Sequence, residues 1–168
     1  MIEIIYNWIS GLPKEAAVFL MATLPVFELR LAVPVGIISF HLCPVKVYFL
    51  ALLGNLMPVL PLLFLFKSFF HKLAKIRFIG PLFKWWFASV DKRSSLVKKW
   101  EFWGLVLFVA VPLPVTGAWT GSLAAVLADL EWKKSFLAIC LGVMTAGILV
   151  SILSLVIPEV IKTWFTFT

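Results

Sequence analysis

The stretch 102–128, FWGLVLFVAVPLPVTGAWTGSLAAVLA, is long and apolar enough to cross a bilayer, yet its centre reads as a loop. It has no charged residue, and between Val111 and Gly121 it carries Pro112, Pro114, Gly117 and Gly121. Lipid offers no partner to a freed N–H or C=O, so irregular backbone at membrane depth survives only beside protein or a water-filled cavity. Residues 16–40, AAVFLMATLPVFELRLAVPVGIISF, have the same character. Here Pro25 and Pro34 interrupt helical hydrogen bonding, and Glu28 and Arg30 lie between them. A lipid-facing helix would not place two charges and a break at its centre.

Two cleaner spans, 44–66 and 135–157, follow these interrupted ones. The first is unusual only at Gly54, Asn55, Pro58 and Pro61; the second ends at Pro158 and Glu159, with Trp164 as a tail anchor. With 62% hydrophobic and 14% charged residues, the chain is far from the ~25% charge of soluble domains, and the surplus apolar surface must face lipid. These features predict an all-α integral membrane protein with one membrane domain over 1–168. Residues 1–14 read as an interfacial segment anchored by Tyr6 and Trp8. Glu3 and Glu15 and the lack of a basic start speak against a cleaved signal peptide.

Charge is concentrated between the halves. Lys67 to Lys99 holds nine Lys and Arg against Asp91 alone, more than the whole chain's net +7. A basic block between apolar segments is expected on the cytoplasmic side of the cell membrane. Phe69, Phe70, Phe78, Phe83, Trp85, Trp86 and Phe87 interleave with it, which suits an amphipathic segment over 67–100 lying among anionic lipid headgroups rather than one binding nucleic acid. Cys43 and Cys140 form no metal or disulfide pattern, and no catalytic motif is present, so neither an enzyme nor a cofactor is expected.

The halves match at an offset of 88 residues. Gly54 falls on Gly142, Leu53 on Leu141, Lys46 on Lys134 and Ala22 on Ala110. Each half runs from an apolar segment through a Pro-rich break, a second apolar segment and a Lys-bearing link to a long span. Repeat 1 covers about 16–66 and repeat 2 about 102–157. If each broken segment enters and leaves on one side, each half crosses once and the halves are inverted, a transporter pattern. The expected fold is therefore an inverted repeat of two re-entrant helical hairpins, each followed by one long transmembrane helix. The competing topology has four full spans and parallel halves. It would put the Lys133/Lys134 link outside, against the positive-inside rule.

Three groups of residues could carry chemistry. Glu28 could take up a proton where burial disfavours its charge, and Arg30 could hold an anion; a self-neutralising ion pair is the alternative. Residues i and i+2 do not share a helix face, so one site needs unwound backbone there. Thr116, Gly117, Thr120 and Gly121 offer hydroxyls and freed N–H groups to an anion, or merely make a tight turn. Asn55 either bonds across helices or lines a path. His41 and His71 read as interfacial residues.

The runs FELRLAVPVGI, the GN-xx-P of the following span, and PLPVTGAWTG resemble the "putative small multi-drug export protein" family over about 16–157. That family is similar at a distance to the DedA/VTT membrane proteins. The resemblance implies the two-hairpin inverted fold and a role in moving lipids, including polyprenyl phosphate carriers. The expectation is a multi-pass transporter or lipid flippase of the cytoplasmic (inner) membrane, proton-coupled, homo-oligomeric, and acting on an anionic or lipid-phosphate substrate. An exporter of cationic compounds and a non-transport scaffold or assembly factor are the alternatives.

Overall fold

The computed structural model describes residues 12–73, 101–111 and 116–156, with side chains left aside over 67–73. All regular elements among them are helical. In chain order they are α1 (Lys14–Thr23), α2 (Glu28–Pro34) with a π-helical turn over Val35–Ser39, and α3 (Pro44–Leu56). Then follow α4 (Val59–Leu73), α5 (Glu101–Ala110), α6 (Ala118–Leu127) and α7 (Trp132–Val156). The expected segment 1–14 lies outside the described residues up to residue 11. So does the basic stretch from residue 74 on, into which α4 leads.

Two compact units are present. The first comprises Met1–Met57 and Thr145–Thr168, the second Pro58–Met144.

In the first unit, α1 stops where proline dictates. Pro25 has no N–H for the Met21 carbonyl, and Leu24 before it is extended at φ −80°, ψ 139°. The turn 24–27 reverses the chain into α2. Pro34 does not end this helix. It removes the donor to the Arg30 carbonyl, and the next residues widen into the π-helical turn, which closes with Phe40 N–H donating to the Val35 carbonyl at 3.0 Å. Three contacts set the directions. Lys14 Nζ donates to the Phe40 carbonyl at 3.2 Å, so the hairpin's two ends stand side by side. Lys46 Nζ donates to Glu15 Oε1 at 2.7 Å, joining the starts of α1 and α3. Gly54, ten residues into α3, rests against the Phe19 carbonyl and Ala22 in α1. Helices α1 and α3 therefore run alongside in one direction, and α2 returns between them, with Gly36 against Val18 and Val47. At 10 residues, α1 reaches about 15 Å, half the ~30 Å of a hydrocarbon core. The end of α7 closes this unit, Gly147 meeting Tyr48 and Leu29. Its core includes Ala17, Val18, Ala22, Leu29, Ala32, Val33, Val47 and Ala51.

The second unit repeats the order. Helix α5 rises to a turn, α6 returns with Gly121 against Val109, Leu105 and Ile139, and α7 runs with α5. Here Gly142 meets the Val106 carbonyl and Val109. This is the contact Gly54 makes with Phe19 and Ala22: a bare glycine over a carbonyl and the Cβ three residues on. Helices α1 and α5 correspond at a shift of 87 residues, and the starts of α3 and α7 at 88. His41 and Asp129, each three residues before a long helix, both have left-handed backbone, at φ 53° and 52°. Helix α4 packs on α6, and Phe64 tilts against Trp132 at 5.5 Å between ring centroids.

Two details differ from the sequence reading. Within the span 44–66 the α-helix gives way to a turn at Met57–Pro58. The last span begins at Trp132, not 135, so Lys133 and Lys134 lie in its first turn. The Glu131 carbonyl accepts both the Ser135 N–H and its hydroxyl there, which starts the helix early.

The outer faces are apolar over membrane length. Val45, Phe49 and Leu53 are exposed along α3, and Leu60 and Phe64 on α4. Leu137, Leu141, Met144, Ile148, Ile152 and Leu155 form a matching stripe on α7. Water would not tolerate such stripes, whereas a ~30 Å hydrocarbon layer requires them.

Candidate functional site

The first hairpin tip carries the charges. Glu28 opens α2 with φ 47°, a left-handed conformation that costs a residue with a Cβ roughly 1–2 kcal/mol. Its N–H donates to the Leu24 carbonyl at 2.9 Å, and its side chain is only 6% exposed. A strained backbone under a buried acidic residue is a place where structure is spent on something other than packing. Arg30 is half-buried in the first turn of α2 and within electrostatic reach of Glu28. Both residues belong to α2, with the left-handed Glu28 as its first residue. Pro25 lies in the reversing turn, and Pro34 sits seven residues from the tip flank, inside α2.

Asn55 lies in this same unit, 3% exposed and one residue beyond the Gly54 contact. The expected bond across helices is not made by its carbonyl: Oδ1 is buried with no hydrogen-bond partner.

The second tip is neutral. Thr116 and Thr120 are each 6% exposed, and Gly117 and Gly121 are buried. Thr116 Oγ1 donates to the Val111 carbonyl at 2.9 Å, tying the two arms of the turn. Thr120 Oγ1 donates to the Gly117 carbonyl at 3.4 Å, and the Gly121 N–H to the same oxygen at 2.7 Å. Gly117 has φ 151° and ψ −168°, a region closed to residues with a Cβ. Gly117→Ala should therefore cost about 1–3 kcal/mol, read as a lowered thermal unfolding midpoint in detergent. An unchanged midpoint would mean that the turn relaxes freely. Pro112 and Pro114 lie outside the described residues.

The residues expected to act together thus fall into two groups, Glu28, Arg30 and Asn55 in one unit and Thr116, Gly117, Thr120 and Gly121 in the other. Two features escaped the sequence reading. Lys46 served there only as a marker of the repeat, yet it pairs with Glu15, and a Lys at the start of a span beside an acid at the start of a hairpin was the available signal. Ser151 Oγ, a second buried oxygen without a partner in the first unit, had no sequence signal.

Compared with known families, residues 28–149 match the model described as "Putative small multi-drug export protein". Neither a curated protein nor a solved structure matches the chain.

Proposed function

Because the chain belongs to the family of putative small multi-drug export proteins, a membrane family of transport type, we propose that it is a DedA-like transporter or lipid flippase for an anionic or lipid-phosphate substrate. The observation that carries this reading is the buried Glu28 on left-handed backbone, with Arg30 two residues on, at the tip of the hairpin formed by α1 and α2. In this reading Arg30 holds the anionic group, because a guanidinium keeps its charge and presents a planar fork to phosphate. Glu28 takes up and releases the coupling proton. Thr116 and Thr120, whose hydroxyls donate to backbone carbonyls, hold the turn of the second unit.

The fold side of the proposal is an inverted repeat of two re-entrant hairpins in a single membrane domain. The adjacent hairpin ends at Lys14 and Phe40 and the matched glycine contacts support it. The basic segment 67–99 rests on anionic headgroups at the cytoplasmic face of the cell membrane, and the assembly is a homo-oligomer. The family description favours a second reading, export of small cationic compounds; Arg30 opposes it, since a positive charge at the site repels such substrates unless Glu28 offsets it.

Topology is tested by Asp129→Cys in a chain with Cys43→Ser and Cys140→Ser, using an impermeant thiol label on intact cells. Protection, with labelling after lysis, is expected. Labelling from outside would mean four full spans and would remove the DedA-like reading. Function is tested by movement of a fluorescent polyprenyl phosphate across proteoliposomes. Movement no faster than in protein-free vesicles, together with proton release on adding a cationic dye, would replace the lipid reading by the exporter.

A further inference from the structure

Asn55 Oδ1 is a buried acceptor with nothing to accept, an arrangement folded chains avoid. Its position says what it waits for. Gly54 lies on Phe19 and Ala22, and α1 ends at Thr23, so the next turn of α3 stands level with the hairpin tip 24–28. At that height helical bonding also fails. Pro58 has no N–H for the Gly54 carbonyl, and Pro61 none for the Met57 carbonyl. Three carbonyl oxygens, one from a side chain and two from the main chain, lack their usual donors within one turn, level with the tip that carries Glu28.

Hard oxygen ligands of this kind suit alkali or alkaline-earth cations. Divalent ions call for several carboxylates or retained waters, and the described residues here provide one carboxylate. Interrupted helices at mid-membrane hold Na+ through such carbonyls in other transporter folds. Charge then decides when the ion binds. Glu28 and Arg30 cancel each other, so a lone cation would leave an uncompensated charge in a low-dielectric site. An anion on Arg30 restores neutrality.

We propose that the turn after α3 binds Na+ through Asn55 Oδ1 and the Gly54 and Met57 carbonyls, and that Na+ and the anionic substrate bind together. This rests on the reading of Arg30 as an anion holder. Linkage is reciprocal, so each ligand tightens the other by the same factor.

The test uses the purified full chain in detergent, in NaCl or choline chloride of equal ionic strength, with and without farnesyl phosphate. Saturating Na+ should raise the unfolding midpoint by about 5 °C, and farnesyl phosphate should lower the Na+ concentration needed. Asn55→Leu should lose the Na+ response while unfolding no lower than the parent in choline, because it removes the unpaired oxygen and keeps the volume. Equal midpoints in NaCl and choline, or an Asn55→Leu protein that still responds, would overturn the site. A response to pH in place of Na+ would also overturn it and assign the oxygen to a protonated water. A Na+ response that needs Asn55 but ignores farnesyl phosphate would remove the anionic substrate and leave the Na+ site standing.

Discussion

Gly54→Ala should be the most damaging single methyl in this protein. A Cβ at position 54 would be driven into the Phe19 carbonyl and would sit 3.1 Å from Ala22 Cβ. The carbonyl belongs to helix backbone and already accepts the Thr23 hydroxyl at 2.9 Å, so it cannot swing away. The only relief is to part α1 from α3, which also pulls on the Glu15–Lys46 pair at their shared end. Overpacking of this kind costs about 3 kcal/mol. Gly142→Ala should cost a similar amount, since its Cβ would stand 2.6 Å from Val109 Cβ and 2.9 Å from the Val106 carbonyl. Gly36→Ala should cost less, because it meets the ends of the Val47 and Val18 side chains, at 2.8 and 3.0 Å. Thermal midpoints in detergent give the ranking. A Gly36→Ala protein less stable than Gly54→Ala would show that the α1–α3 approach is the looser of the two.

Transport should fall on the order of 100-fold in Glu28→Gln and in Arg30→Ala, if the proposed roles hold, because each removes one charge and strands the other in a low-dielectric site. The single variants alone cannot separate a working pair from a structural one. The double variant Glu28→Met/Arg30→Met can. Replacing a buried ion pair by apolar residues of similar size is often neutral or stabilising. A structural pair would therefore be rescued in both stability and transport, whereas a working pair would be rescued in stability alone. Full transport by the double variant would end the assignment of both residues.

Much of the architecture was legible because it depends on chemistry that sequence displays directly. Pro25 predicted the end of α1 since a missing N–H acts locally. The apolar lengths gave the long helices, whereas Gly54 and Gly142 stood in sequence only as markers of the repeat, and their close approaches belong to the fold. The turn at Met57–Pro58 was visible as a proline but was read as a variation within a clean span. The early start of α7 was missed because Lys133 and Lys134 look like link residues, while the Ser135–Glu131 bonds that start the helix there need coordinates to be seen. The site was legible in its residue types and not in its strain. Nothing in the sequence FELR says that Glu28 sits at φ 47° or that Asn55 Oδ1 goes unbonded. Backbone conformation at one residue and the absence of a partner are tertiary facts.

The glycine contacts also bear on how each unit can move. Helices usually interlock through side chains that fill one another's grooves, and sliding them means lifting each knob from its hole. Where Gly54 lies on a carbonyl there is no knob. The surfaces meet backbone on backbone there, near the end of α3, and again ten residues into α7 at Gly142. At such a point two helices can turn past each other without lifting a side chain from a groove, although they can come no closer. The same two residues that tolerate no added methyl are therefore the natural fulcra of each hairpin and its span.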